Sequence, residues 1–266
     1  MLHYIANRKG GVGKTTVTVY LASALAQLTG EPTLVIDTDP QNNAGMLMGF
    51  ADVQLRRATI ETFLRQGRPL VEYIIERDEF IGCHFLGSGP YDVLLVEKGE
   101  KGPAVFAEFL AEVRALPYRH IFLDSPPAFG PVQQQCLLAS DGVITPVQPG
   151  YLALEGLKLL VNSIQRCLLG KREGPVTLTV VVNHRQPVNT IAAEMEAHLR
   201  QAFGSLVLPT AIPYSQWFER CAAEGINLLE RAKGNPPVVT ALWQLAQEFL
   251  QKVDSTAAAI RSLPTR

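Results

Sequence analysis

Residues 9–16 read Lys-Gly-Gly-Val-Gly-Lys-Thr-Thr, the densest concentration of chemically useful residue types in the chain. Glycines let successive backbone N–H groups turn toward one anion. A lysine adds a mobile positive charge, and a neighbouring hydroxyl can ligate a hard divalent cation. This combination suits the phosphates of a nucleotide, with Lys14 on the outer phosphates and Thr15 on their Mg²⁺. The expected phosphate-binding set is Lys9, Gly10, Gly11, Val12, Gly13, Lys14, Thr15 and Thr16. Acids that could serve the same centre come later. Asp37 and Asp124 each close an apolar run, and Asp39 follows Asp37 by two residues.

Such a loop needs a strand to deliver it and a helix to carry it onward, because the helix N-terminus adds its free N–H groups and its dipole. The sequence predicts both. Leu2–Ala6 reads as a short strand, and Val17, Leu21, Ala24, Leu25 and Leu28 recur at helical spacing from about Lys14 to Leu28. Gly30 and Pro32 should stop that helix. Further strands are predicted at Thr33–Ile36, Cys83–Leu86, Ile121–Leu123, Gly142–Val147 and Val176–Val182. Helices are predicted over residues 59–79, Ala104–Leu116, Leu154–Leu168 and Thr190–Phe203. Apolar strands alternating with helices predict a doubly wound α/β fold, a mostly parallel sheet flanked by helices. Ligands of such sheets bind beyond the carboxyl ends of the strands, and Asp37, Asp39, Asp124 and Asn183 all follow strands. One domain spanning residues 1–266 is expected, with a small polar tail fraying from about residue 254.

Composition excludes several classes. Hydrophobic residues make up 47% of the chain, enough for a sizeable core. No apolar run approaches the ~20 residues that span a bilayer. Met1 to Ala6 is too short for a signal peptide and runs straight into Asn7-Arg8-Lys9. The four cysteines, Cys83, Cys136, Cys167 and Cys221, lie far apart without a Cys-x-x-Cys pair, so reduced cytosolic thiols are expected. Residues 1–150 hold 12 Lys and Arg against 16 Asp and Glu, a net −4; residues 151–266 hold 12 against 9, a net +3. The second half could therefore present a basic surface to an anionic partner.

The loop departs from the usual G-x-x-x-x-G-K-[ST] pattern: Arg8 stands where glycine is usual, and Lys9 precedes the Gly-Gly pair. In this the chain resembles the deviant Walker A family of ParA and MinD ATPases. Asp37-Thr38-Asp39-Pro40-Gln41 resembles that family's switch I, and His120 to Pro127 its Walker B strand and switch II. Pro146-Val147-Gln148-Pro149, followed by Tyr151, Ala153-Leu154-Glu155 and Gly156, is similar to the ParA branch. Asn183 resembles the asparagine that reads the adenine edge, and Ile212-Pro213 the loop that packs on the base. The resemblance implies catalytic roles for Lys9, Lys14 and Asp39, with Lys9 completing the nucleotide site of a partner protomer. It implies Mg²⁺ held by Thr15, Asp124 and, through water, Asp37. Three departures stand out: Gly150 where a glutamate is frequent at the dimer interface, Tyr214 where chromosomal relatives carry arginine, and Asn42-Asn43 in place of Gly-Asn.

The ParA resemblance implies an ATP-dependent homodimer, cytoplasmic and nucleoid-associated when ATP-bound. It would bind non-specific double-stranded DNA and be released when a ParB-like or other adaptor stimulates hydrolysis. Such switches partition or position plasmids, chromosomes or protein assemblies. Candidate DNA contacts are Arg185, Arg200, Arg220, Arg231 and Lys233. A MinD-like membrane role would use an amphipathic C-terminal helix. Leu242, Leu245, Phe249, Leu250 and Val253 do form an apolar face, but Lys252 is the only cation there, so a helix packed on the core is expected rather than a stable membrane anchor. An iron–sulfur role would need Cys83 and Cys136 in glycine-rich loops, yet Gln133 to Leu138 reads as helix. A metabolic P-loop enzyme without DNA binding remains the other alternative.

Overall fold

The computed structural model describes residues 1–91, 95, 99–128, 130–170, 174–175, 177–186, 190–231 and 236–261. Its strands are β1 Leu2–Ile5, β2 Thr33–Asp37, β3 Cys83–Leu86, β4 His120–Asp124, β5 Gly142–Val147, β6 Thr177–Arg185 and β7 Val207–Pro213. All pairings between them are parallel, in the order β3-β2-β4-β1-β5-β6-β7. The helices are α1 Lys14–Thr29, α2 Asn43–Leu47, α3 Asp52–Leu55, α4 Ile60–Gln66, α5 Gly102–Ala115, α6 Pro131–Ala139, α7 Ala153–Leu168, α8 Thr190–Phe203, α9 Trp217–Glu224, α10 Leu228–Arg231 and α11 Pro237–Arg261.

Alternation along buried strands divides the core between the two faces of the sheet. In β2, Val35 packs with α1 and α11, while Leu34 and Ile36 pack with α5, α6 and α7. The helix after β1 therefore covers one face and the helix after β4 the other. The loops leaving these adjacent strands diverge, and a crevice opens between them.

Two expectations needed adjustment. The predicted helix over 59–79 ends at Gln66, because Gly67 takes φ 64° as its C-cap and Pro69 follows; Leu70–Tyr73 then forms a short 3-10 turn. The strand β7 was not anticipated, since Pro209 interrupts its apolar pattern. Gly30 does end α1, at φ 69°. The apolar face of α11 is occupied: Leu242, Leu245, Phe249 and Val253 are buried in the core. Among the described residues no helix is long and apolar enough to cross a membrane.

Candidate nucleotide site

The loop between β1 and α1 turns on two left-handed glycines, Gly11 at φ 73° and Gly13 at φ 84°. Gly13 is required twice over. A side chain there would strain the backbone, and its Cβ would lie 2.2 Å from Asn183 Nδ2. Asn183, two residues before the end of β6, donates from Nδ2 to the Val12 carbonyl at 2.8 Å, while its Oδ1 is buried without a partner. Behind the loop, Asn7 Nδ2 donates to Pro146 O at 2.8 Å and Asn7 Oδ1 accepts from the Lys9 amide at 2.9 Å.

Four residues converge on Asp124 at the end of β4. Thr15 Oγ1 donates to Oδ2 at 2.7 Å and Thr18 Oγ1 to Oδ1 at 3.1 Å. Lys14 and Asp39 both act on it electrostatically. Burial pushes the Asp124 carboxyl up to about 6, against the opposing pull of the two hydroxyls and Lys14. Asp37 lies beside Asp124 in register and is raised well above the usual carboxylate range, by burial first and by Asp124 second. Both Asp37 oxygens already accept backbone N–H groups, from Asp39 at 2.8 Å and Ala44 at 2.9 Å. Burial lowers the Lys14 ammonium, while Asp124 and Asp39 pull it back up. A desolvated lysine between desolvated acids is costly unless further charge arrives.

A cavity of about 820 Å³ opens over this cluster, lined by Gly10, Gly11, Gly13, Lys14, Thr15, Thr16 and Asp39, with Gln41, Met46, Ser125 and His184 among its other walls. Its size suits a nucleotide. A phosphate-borne Mg²⁺ fits the donors as well. Thr15 and Asp124 offer hard oxygens, and no group of three or more His, Cys, Asp or Glu side chains exists among the described residues to form an all-protein cage.

Lys9 is exposed and is not among the residues that line this cavity. Pro213 ends β7 and pairs in register with Arg185. Two residues escaped the sequence reading. Thr18 lies one helical turn beyond Thr15, a spacing that could have disclosed it. His184 adopts φ 56° beside the cavity and carried no local signal.

The basic candidates do not converge on this centre. Arg200 is spent within the fold, bonding Glu196 at 2.9 Å and the Leu208 and Pro209 carbonyls at 2.9 and 3.0 Å. Arg185 pairs with the same Glu196 at 3.2 Å. Arg220 lies 5.6 Å over the Trp217 ring, and Arg231 pairs with Glu224. Lys233 lies outside the described residues. Cys83 and Cys136 are both fully buried, in the cores on opposite faces of the sheet, and so cannot share a surface cluster.

A doubly wound sheet whose first loop is built in this way defines a P-loop nucleotide-binding protein. The sequence model of the AAA domain family matches residues 3–173. The chromosome-partitioning ATPase Soj of Thermus thermophilus is 33% identical over 249 residues, covering 94% of this chain and 95% of Soj. The chromosome partitioning protein ParA of Caulobacter vibrioides is 32% identical over 216 residues, 79% of each chain. Among solved structures, apo McdA of Cyanothece superposes with TM-score 0.76 at 20% identity, covering 93% of this chain and 98% of McdA. The chain belongs to the ParA/MinD family of P-loop ATPases.

Proposed function

We propose that this protein is a Mg²⁺-ATP-driven partition or positioning switch. ATP occupies the cavity over residues 9–16, and two protomers close on two nucleotides. The closed dimer holds non-specific DNA until an adaptor stimulates hydrolysis. The observation that carries the reading is the pairing of the Lys14–Thr15–Asp124 centre with a second lysine, Lys9, exposed at the start of the same loop. The first provides for phosphate and metal. The second provides for a partner's phosphates.

The roles follow from position. Loop N–H groups and Lys14 balance phosphate charge. Asn183 Oδ1, a buried acceptor without a donor, suits the amino group of adenine, with Pro213 beside the base. Bound Mg²⁺ would neutralise charge between the outer phosphates, held by Thr15 and Asp124 with Asp37 behind them. Asp39 stands at the cavity wall, where it can orient the attacking water. Tyr151 and Leu152, large and exposed after Gly150, favour a protein contact at the same end of the sheet. Arg220, Arg185 and Arg231 keep exposed side chains and remain the better DNA candidates, whereas Arg200 is held by carbonyls. Nucleoid association in the ATP state follows from DNA binding.

The test is binding to a non-specific duplex with ATP, with ADP and without nucleotide, across a salt series. ATP-dependent binding that weakens with salt is expected. Lys9→Ala should keep ATP binding and lose both ATP-dependent dimerisation and DNA binding. Normal dimers from this variant would overturn the cross-dimer role, and no DNA binding in any nucleotide state would remove the DNA-positioning role.

A further inference from the structure

Residues 39–43, the end of the switch I segment and the two asparagines after it, have open space on both sides. The nucleotide cavity lies on one side, and a second cavity of about 440 Å³ lies on the other, lined in part by Pro40, Gln41, Asn42, Gly89 and Pro90. Gln41 and Met46 border both. A segment flanked by voids is held by its hydrogen bonds more than by packing.

Asn42 links Asp39 to the rest of the fold on this side. Its amide donates to the Asp39 carbonyl at 2.9 Å, while Asp39 Oδ1 accepts from the Gln41 amide at 3.0 Å. Its side-chain Oδ1 crosses the gap and accepts from the Ser88 amide at 2.8 Å. Ser88 belongs to a firm anchor. Gly87 N donates to Ala58 O and Gly87 O accepts from Ile60 N, each at 2.8 Å, and Ser88 O accepts from Glu61 N at 3.2 Å. A Cβ on Gly87 would come within 3.0 Å of Asn42 Oδ1, so the amide seats directly over that glycine. Asn42 does this at φ 52°, in the left-handed region, which asparagine tolerates better than most residues.

We propose that Asn42 is a positioning residue for hydrolysis: its side chain staples switch I to the Gly87–Ser88 anchor and so fixes Asp39 relative to the bound triphosphate. This rests on the reading of Asp39 as the group that orients water. A glycine at position 42 would keep the backbone conformation and lose the staple; an aspartate would keep an acceptor for the Ser88 amide.

The experiment is single-turnover hydrolysis of saturating Mg²⁺-ATP by the full chain, with nucleotide affinity measured in parallel. Asn42→Gly should slow hydrolysis about five-fold, the worth of one hydrogen bond, with ATP affinity unchanged. Asn42→Asp should recover most of the rate. The proposal is overturned if Asn42→Gly hydrolyses at the wild-type rate, if Asn42→Asp is as slow as Asn42→Gly, or if the loss appears in affinity instead of rate. Asp39→Ala separates the two levels. Wild-type hydrolysis by that variant would remove the underlying reading, whereas an Asp39→Ala that no longer hydrolyses ATP beside an Asn42→Gly at the wild-type rate would remove only the staple.

Discussion

The two ends of the central strand β4 and its neighbours each bury titratable groups, and one of the two ends opens onto a large cavity. At the carboxyl end Asp124 of β4 lies beside Asp37 of the neighbouring β2, with Lys14 acting on Asp124 and an open cavity beyond. At the amino end His3 Nε2 and His120 Nδ1 approach to 3.0 Å, and His120 Nε2 is buried without a partner. Burial lowers both rings, His120 to about 4 and His3 well below its usual value. There the resemblance stops. The histidines stack on each other and meet Phe249 of α11 edge-on, His3 at 5.1 Å between centroids. A packed aromatic lid leaves no room for a ligand. Buried ionisable groups alone therefore do not mark function; a cavity with converging donors does.

The largest effect should come from Lys14→Ala. Removing the cation above Asp124 should weaken ATP binding by about two orders of magnitude or more, read by titration calorimetry. Unfolding of the nucleotide-free protein should barely change, because burial of the Lys14 ammonium offsets its attraction to Asp124 and Asp39. The amino end should respond in reverse. Phe249→Ala empties a fully buried ring from the lid and should cost about 3–5 kcal/mol in urea unfolding. Its ATP affinity, measured where the variant is still folded, should match wild type. A parallel fall in affinity would show that the two ends are energetically one unit.

The difference between the ends also explains what the sequence disclosed. The phosphate loop was legible because its chemistry is backbone chemistry, written in consecutive glycines, a lysine and hydroxyls. Asp37 and Asp124 were legible because each closes an apolar run. The break in the predicted 59–79 helix was also written, in Gly67 and Pro69, where the apolar periodicity masked it. The histidine pair was not legible, since it depends on the β1–β4 register across 117 residues. The commitment of Arg200 to two carbonyls was equally hidden, because those acceptors belong to a strand that the sequence pattern did not disclose.

The smallest effect is in pH, and it sets the two ends against each other. The unfolded histidine titrates near 6.5 and folded His120 near 4. Between these values the unfolded chain holds more protons, so stability is full above about pH 6.5 and falls as pH drops toward 4. His3, also lowered, adds to that fall. Asp124 has the opposite sign. Its folded value near 6 exceeds the unfolded 3.8, so the folded chain holds more protons between them and stability rises on acidification; Asp37 acts in the same direction. In metal-free, nucleotide-free protein His120 and Asp124 should oppose each other between pH 6 and 4. Asp124→Asn removes one acid and should make stability fall more steeply on acidification, by up to about 1.4 kcal/mol per pH unit. His120→Phe, which keeps an aromatic ring against Phe249, should tilt the slope the other way by a similar amount. Urea midpoints at half-unit steps between pH 4 and 6.5 would read both slopes. If both variants track wild type, neither end holds its groups neutral, and burial at the two ends of β4 would not carry the opposing linkages assigned to it.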